Sequence, residues 1–303
     1  MGTQTGAGRF APSPSGPLHL GNARTAILAW LFARASGRRF LLRVEDLDPQ
    51  RSRADAAAQQ LAELKQLGLD WDGPVVWQSR RGGRYRDAVD MLRREGLVYE
   101  CFCTRREIQE ASSAPHGAPG AYPGTCRNLS DIDRERLCRI RRPALRLRVP
   151  PEERRGEITD LRFGQVCGEV DDVVLRRRDG VPSYNLAVVV DDLAQGIDQV
   201  VRGDDLLSSA PRQAFLARCL GGLPPVYAHV PLVVRPDGTR LAKRDGDASL
   251  PELAAAGWDA ARVRAIILDS LGLPDLPLHR VVERFDPAAV PRESWCPALP
   301  ERT

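Results

Sequence analysis

An α/β fold organised around a parallel sheet is predicted by three features of this sequence. A short strand, GRFA (8–11), runs through a Pro/Ser/Gly turn (12–17) into a helix and then a second strand, RFLLRV (39–44). That order of strand, turn, helix and strand builds parallel neighbours. The segment YNLAVVVDD (184–192) is nearly continuously apolar, as a strand buried on both faces is, and HVPLVV (229–234) reads as a further strand. Glu45, Asp46 and Asp48 gather just past the end of the second strand, where ligands bind in such sheets.

The first helix is read from Ala23, Ala26, Ile27, Trp30 and Leu31, which recur at three- and four-residue spacing, with Gly37 as its stop. Further helical patterns cover about 53–67, 82–95 and 208–220. Between 100 and 128 the texture changes: Cys101, Cys103, His116 and Cys126 surround a Pro/Gly/Ala/Ser-rich middle, which predicts an inserted, metal-stapled module. EVDDVVLRR (169–177) and then YNLAVVVDD are expected to return to the main sheet. Pro236-Asp237-Gly238 makes a tight turn into a basic loop, and beyond 250 the pattern predicts one or two short helices and a Pro-rich, loosely packed end.

No apolar run in the 303 residues reaches the roughly 18 to 20 needed to cross a bilayer, and the N-terminus has no basic segment followed by an apolar one. Gly6 stands where a myristoylation signal needs Ser or Thr. A soluble, cytoplasmic protein with no membrane partner is expected. Seven cysteines are an odd number, and Cys101 and Cys103 sit one residue apart, which suits a metal and a reducing compartment better than disulfides. The net charge of +4 leaves an anionic partner open. Of the 44 basic residues only Lys65 and Lys243 are lysines. Arginine thus serves wherever a generic positive charge is needed, and a lysine marks a place that wants a compact ammonium.

Three constellations carry chemistry. In PSPSGPLHLGNA (12–23) a small-residue turn opens a helix, so free backbone N–H groups and the positive helix end face a phosphate position. His19 can donate to phosphate oxygens there, and Gly21, without a side chain, leaves room for a flat ring such as adenine. In RLAKRDG (240–246), Arg240, Lys243 and Arg244 form, with Arg235, a cationic flap able to neutralise charge growing on a polyphosphate. Arg9, Ser13, Glu45, Tyr184 and Arg202 lie near predicted strand ends, and together describe a pocket for an acidic amino acid: arginine for carboxylates, Glu45 for an α-ammonium, Tyr184 to order either.

In this order the pieces resemble class I glutamyl-tRNA synthetases over about residues 8–250. GRFAPSPSGPLHLGNART is similar to their opening segment with its HIGH-type motif, RVEDLDPQRS to the strand end that follows, YNLAVVVDD and VRGDDLLSSAPRQ to later pocket segments, and RLAKR to the KMSKS-type loop. The resemblance implies a Rossmann-type catalytic domain in two halves, 1–99 and 129–249, around a zinc-binding insertion at 100–128, with a short helical C-terminal region at 250–303. It implies glutamate binding by Arg9, Phe10, Ala11, Pro12, Ser13, Glu45, Tyr184 and Arg202, ATP binding by His19, Gly21, Asn22 and Lys243, and catalysis by His19, Gly21 and Lys243. Magnesium travels with ATP. Asn22 replaces a His of the family motif, and Arg240 and Ala242 replace Lys and Ser, so Lys243 carries the loop's role alone and slower activation is expected.

Three cysteines leave one vacancy at a tetrahedral zinc. The family's Cys-x-Cys…Tyr…Cys pattern implies one structural Zn2+ held by Cys101, Cys103, Tyr122 and Cys126, whereas ordinary zinc chemistry would choose His116 from the same loop. Only 57 residues follow Gly246, too few for the family's anticodon-reading domains. The expected function is therefore that of the family's truncated members: activation of L-glutamate with ATP and its transfer to the queuosine base at the wobble position of tRNA(Asp), by a monomer that takes the anticodon loop into its pocket. The alternatives are a truncated synthetase charging a tRNA 3′ end and a non-catalytic paralogue that binds amino acid or RNA.

Overall fold

A computed structural model of the chain describes residues 6–104, 106–108, 122–241 and 249–300. Strand β1 (Ala7–Phe10), helix α1 (Leu20–Ala35) and strand β2 (Arg39–Val44) form the predicted opening unit, and the two strands pair in parallel, Ala7 opposite Arg39 and Phe10 opposite Leu42. Gly37 follows α1 at φ +69°, a left-handed stop that favours glycine. Helices α2 (Ala54–Gln66) and α3 (Gly82–Arg94) stand where the periodicity puts them, with β3 (Val76–Trp77) between and β4 (Val98–Cys101) after.

The main sheet is completed by β6 (Arg155–Asp160), β7 (Gly164–Glu169), β9 (Ile197–Gly203) and β10 (Val226–Val230), in the order β3-β2-β1-β9-β10-β6-β7. All neighbours are parallel except the β6–β7 hairpin at one edge. Strand order reverses between β1 and β9, so a crevice opens at their carboxyl ends.

Three expectations are corrected. Residues 184–192 are not a strand: they belong to helix α5 (Tyr184–Gln195). Ser183 caps it, its hydroxyl accepting from the Leu186 N–H, and Gly196 at φ +66° ends it. The run is apolar because the helix is buried, with Leu186 to Val190 sharing a second core with Tyr85 and Val89 of α3 and with Phe215 and Leu216 of helix α6 (Ala210–Cys219). Residues 169–177 return only in part. Glu169 ends β7 in the main sheet, whereas β8 (Val174–Arg176) pairs with β5 (Ala144–Leu147), itself paired with β4, in a separate three-stranded antiparallel sheet. Helix α4 (Asp131–Ile140) lies between β4 and β5 in sequence.

The third correction concerns the end of the chain, which is not loosely packed. Helices α7 (Leu250–Ala255), α8 (Ala260–Asp269) and α9 (Leu278–Val281) bury Leu253, Ile267, Leu268 and Val281 in the same core as Ile27, Leu31 and Phe32. Helix α1 is buried along nearly its whole length, and the C-terminal helices join it in that core and keep its apolar surface from water. Among the described residues no helix is long and apolar enough to cross a membrane.

The rings of Phe32 and Phe285 meet edge to face with centroids 5.2 Å apart. Phe285→Ala is expected to lower the unfolding free energy by about 3 kcal/mol, the usual cost of emptying a buried aromatic site, as read from equilibrium denaturation. A loss below about 1 kcal/mol would mean that the C-terminal region contributes little to the core.

Candidate active site and candidate metal centre

The crevice at the ends of β1 and β9 holds a cavity of about 520 Å³. It is lined by every predicted pocket residue that the structure describes: Arg9, Phe10, Ala11, Pro12, Ser13, His19, Gly21, Asn22, Glu45, Tyr184 and Arg202. The Pro/Gly turn that forms one wall is pinned from α2, where the Gln60 amide donates to the carbonyls of Ser13 and Gly16 at 3.2 and 2.7 Å. The Glu45 N–H donates to the Pro12 carbonyl at 3.0 Å, tying the end of β2 to the same turn.

His19 is the N-cap of α1. Its Nδ1 accepts from the Asn22 N–H at 3.2 Å while the Asn22 side-chain oxygen accepts from the His19 N–H at 3.5 Å, a reciprocal cap. An acceptor Nδ1 in a neutral imidazole puts the proton on Nε2. Asn22 therefore has a local task that keeps the histidine's tautomer and direction. A Cβ at Gly21 would stand 3.0 Å from His19 Cε1, so glycine here is what lets the imidazole keep its place.

Beneath the cavity lies a charge network that the sequence reading missed. Arg43, fully buried in β2, donates to Asp192 at 2.7 Å and to Glu45 at 3.3 Å, and its Nε is 3.9 Å from Asp191. Asp192 also meets Arg9 at 3.4 Å, and Asp191 accepts from Gln78, Arg81 and Tyr85. Burial favours the neutral form of each acid, but at Asp192 the facing Arg43 and Arg9 outweigh it and hold the carboxyl below its ordinary range. At Glu45 burial wins over the same two arginines, and its carboxyl is raised. One signal was available: an arginine inside an otherwise apolar strand, and paired aspartates at the end of an apolar run, both demand buried partners.

Arg202, 5% exposed, is held differently. Its Nε donates to His229 at 3.0 Å, and its terminal nitrogens donate to the Gln213 side-chain oxygen at 2.7 Å and the Leu206 carbonyl at 3.3 Å. His229, Gln213 and Asp160 were not singled out from sequence, because each is an isolated polar residue whose partner is distant in the chain.

Lys243, Ala242 and Arg244 lie outside the described residues, as does His116. The flanks of the 242–248 segment are both at the cavity. Leu241 and Arg240 line it, with Arg240 paired to Asp205, and Ser249 forms a β-bridge with His19.

At the other sheet, Cys101 ends β4, and the sulfurs of Cys101, Cys103 and Cys126 lie within 4.8 Å of one another. Cys103 and Cys126 sulfurs are 3.4 Å apart, and the buried Tyr122 hydroxyl is 3.4 Å from Cys101 and 3.7 Å from Cys103. A tetrahedral ion about 2.3 Å from each thiolate would separate them by about 3.8 Å, so these four atoms fit one ion as donors. The Tyr122 oxygen accepts from the Cys126 N–H at 2.8 Å, which favours negative charge on it, but without an ion its burial and the neighbouring Cys101 sulfur outweigh that and hold the phenol proton more firmly than usual; Arg146 lies 3.7 Å from its ring centre. A hydrogen bond from the Cys126 thiol, with others from Tyr122 and Arg146, draws the Cys101 thiol down toward thiolate against its burial.

The chain belongs to the class I tRNA synthetases: the family described as tRNA synthetases class I (E and Q), catalytic domain, matches residues 7–283, and the protein is accordingly a ligase. It is 64% identical to the glutamyl-Q tRNA(Asp) synthetase of Nocardia farcinica, over 96% of this chain and 92% of that one. Identity to the glutamyl-Q tRNA(Asp) synthetase of Symbiobacterium thermophilum is 47%, over 94% of each chain. The crystal structure of a glutamate-tRNA synthetase from Elizabethkingia anophelis superposes with a TM-score of 0.80 at 25% identity, covering 97% of this chain and 68% of that one.

Proposed function

We propose that the chain joins glutamate to ATP as glutamyl-adenylate and transfers the glutamyl group to the queuosine base at the wobble position of tRNA(Asp). The observation that carries this reading is the convergence of Arg9, Glu45, Tyr184 and Arg202 on one cavity whose other wall is the capped start of α1. A dipolar amino acid with a second carboxylate matches two arginines, one acid and a phenol hydroxyl. In this reading Glu45 holds the ammonium, Arg9 and Arg202 the carboxylates, and Tyr184, Ser13 and the backbone of Phe10, Ala11 and Pro12 complete the fit.

ATP is read as lying over Gly21 and Asn22, its phosphates facing the helix start, with magnesium arriving on the nucleotide. An α-carboxylate oxygen attacks the α-phosphorus, the new P–O bond forms as the bond to the β-phosphate oxygen breaks, and pyrophosphate leaves. His19 Nε2–H and Lys243 stabilise the charge that spreads over the phosphate oxygens. A hydroxyl of the queuosine ring then attacks the acyl carbon and AMP departs. The assignment of the acceptor draws on the two relatives above, which are named for it and which the chain matches over more than nine-tenths of their length. An anticodon loop can splay a base out of its stack to meet such a pocket. The set Cys101, Cys103, Tyr122 and Cys126 is read as a structural zinc site whose ion would clamp the insertion (100–128).

Labelled glutamate and ATP, offered with tRNA(Asp) from queuosine-proficient and queuosine-deficient cells and with tRNA(Glu), are expected to label the first alone. Charging of tRNA(Glu) at its 3′ end would assign the ordinary synthetase activity instead.

Elemental analysis of protein purified without chelator is expected to find one zinc per chain, since such sites bind with on the order of 10 kcal/mol or more. Less than about half an equivalent would count against the site. Replacement of Tyr122 by Phe is expected to weaken zinc retention, while replacement of His116 leaves it.

Because burial raises the Glu45 carboxyl, its charge is lost at a higher pH than an ordinary glutamate's, not a lower one. KM for glutamate in pyrophosphate exchange is therefore expected to rise on acidification while ATP is still bound, by up to about tenfold per pH unit below the Glu45 pKa. A KM that stays flat to below the ordinary carboxylate range would rule out the ammonium contact.

A further inference from the structure

Arg9 and Arg202, two of the arginines that line the cavity, differ in their partners. Arg9 faces the carboxylate of Asp192, so part of its field is already answered. Among the described residues, none of the hydrogen bonds or ion pairs of Arg202 goes to a carboxylate: its partners are an imidazole nitrogen, an amide oxygen and a backbone carbonyl. A guanidinium has five N–H donors. Three are thus used on neutral acceptors, and two are left on a side chain that lines the cavity.

The neutrality of the imidazole is enforced from behind. Asp160, at the end of β6, accepts only: from the backbone N–H groups of Arg162 and Phe163 at 2.8 and 3.0 Å, from the His229 N–H at 3.1 Å and from His229 Nδ1 at 2.6 Å. Four donors around one carboxyl keep it ionised and oblige His229 to carry its proton on Nδ1. Nε2 is left with a lone pair, which is what the Arg202 Nε–H meets at 3.0 Å. His229 is fully buried, and burial lowers its basicity against the pull of Asp160. The register of the sheet supports the contact, since His229 of β10 stands directly opposite Arg202 of β9. Tyr227, two residues earlier, stacks on the imidazole at 5.7 Å and lies 5.3 Å from the guanidinium. Gln213 is oriented in turn, its amide nitrogen donating to Asn185 at 2.9 Å and leaving its oxygen for Arg202.

We propose that His229, locked by Asp160, is a positioning residue that presents Arg202 to the ligand as a cation with no carboxylate in contact and so makes the cavity select a carboxylate over the corresponding amide. The inference rests on the reading that Arg202 binds the amino acid, and takes its contact there as the side-chain carboxylate, the one group in which an acid and its amide differ. An acid in place of His229 would cancel the charge that recognises the substrate, and a donor would push the guanidinium away. A neutral acceptor does neither. Attraction between the two remaining N–H groups and a carboxylate is charge-assisted on both sides, whereas an amide offers a single neutral oxygen and an NH2 group that faces like donors.

Two variants separate positioning from bulk structure. His229→Gln can present its side-chain oxygen where Nε2 stood, keeping the Arg202 contact. His229→Asn can keep only the donor to Asp160. Pyrophosphate exchange with glutamate and glutamine is measured for both variants and the unaltered chain, alongside thermal unfolding. The Asn variant is expected to raise KM for glutamate by about tenfold or more with kcat and the KM for ATP little changed, and to narrow the preference for glutamate over glutamine by a similar factor. The Gln variant is expected to restore most of both. Equal KM and equal preference in all three proteins overturns the inference, as does a loss that is the same in the two variants and tracks their melting temperatures. Absence of glutamate exchange by the unaltered chain overturns the reading of the site as well, which distinguishes that failure from this one.

Discussion

Arg43 is the interaction on which the site depends. Its guanidinium lies without solvent contact between three carboxylates from two elements, Glu45 at the end of its own strand and Asp191 and Asp192 on α5. Removing a full charge from water costs several kcal/mol, and only close opposite charges offset it. The acids outweigh the burial of Arg43 and hold its proton more firmly than in water. Neither side of this network is tolerable alone, which is why β2 and α5, far apart in sequence, are bound to one register. The same contacts leave Glu45 lining the cavity and Arg9 against Asp192, so the cavity lining and its charge pattern are one object.

That object sits where the strand order reverses. The chain goes out from β1 through α1 to β2 and β3, and comes back on the other side of β1 through β9 and β10. Loops leaving β1 and β9 diverge there, so a crevice exists before any side chain is considered. Glycine then decides which side chains can stand at its edge. A Cβ on Gly203 at the end of β9 would be 2.8 Å from Leu232 and 2.6 Å from Asp205, just as one on Gly21 would press on His19. At both places the missing side chain leaves room for a neighbouring side chain that lines the crevice, His19 at Gly21 and Leu232 and Asp205 at Gly203.

What could be read in advance divides along the same physical line. Strands 8–11 and 39–44 and the capped helix after Gly16 were legible because local pattern and local caps agree with the fold. The pocket residues were legible as a set through the resemblance, although only the folded chain brings Arg9, Glu45, Tyr184 and Arg202 to one cavity. Residues 184–192 misled because a helix buried against two layers loses its polar stripe, and a short apolar run then fits either period. The caps Ser183 and Gly196 held the answer, with twelve residues between them, longer than a usual strand. Arg43 gave only the general signal of a charge inside an apolar strand, with nothing to name its partners, and Asp160, Gln213 and His229 gave none. Their meaning comes from partners as far as 152 residues away, as with Arg43 and Gln195, and no periodicity encodes that.

The cysteine cluster is also part of this geometry, through the sheet that carries it. Cys101 closes β4, β4 pairs with β5, and β5 pairs with β8, whose chain continues through a turn at Gly180 into the Ser183 cap and Tyr184. The carbonyl of Phe102, between two of the cysteines, accepts from Arg141 at 3.1 Å and from Arg178 in that turn. A three-stranded sheet with one short edge pairing is weak by itself. Ordering Cys101, Cys103, Tyr122 and Cys126 around one centre would fix Phe102, Phe102 would fix Arg178, and Arg178 would fix the turn that delivers Tyr184 to the cavity. The cluster and the cavity wall are thus joined by hydrogen bonds and strand pairing, and an ion held by the cluster would act on that wall through these contacts.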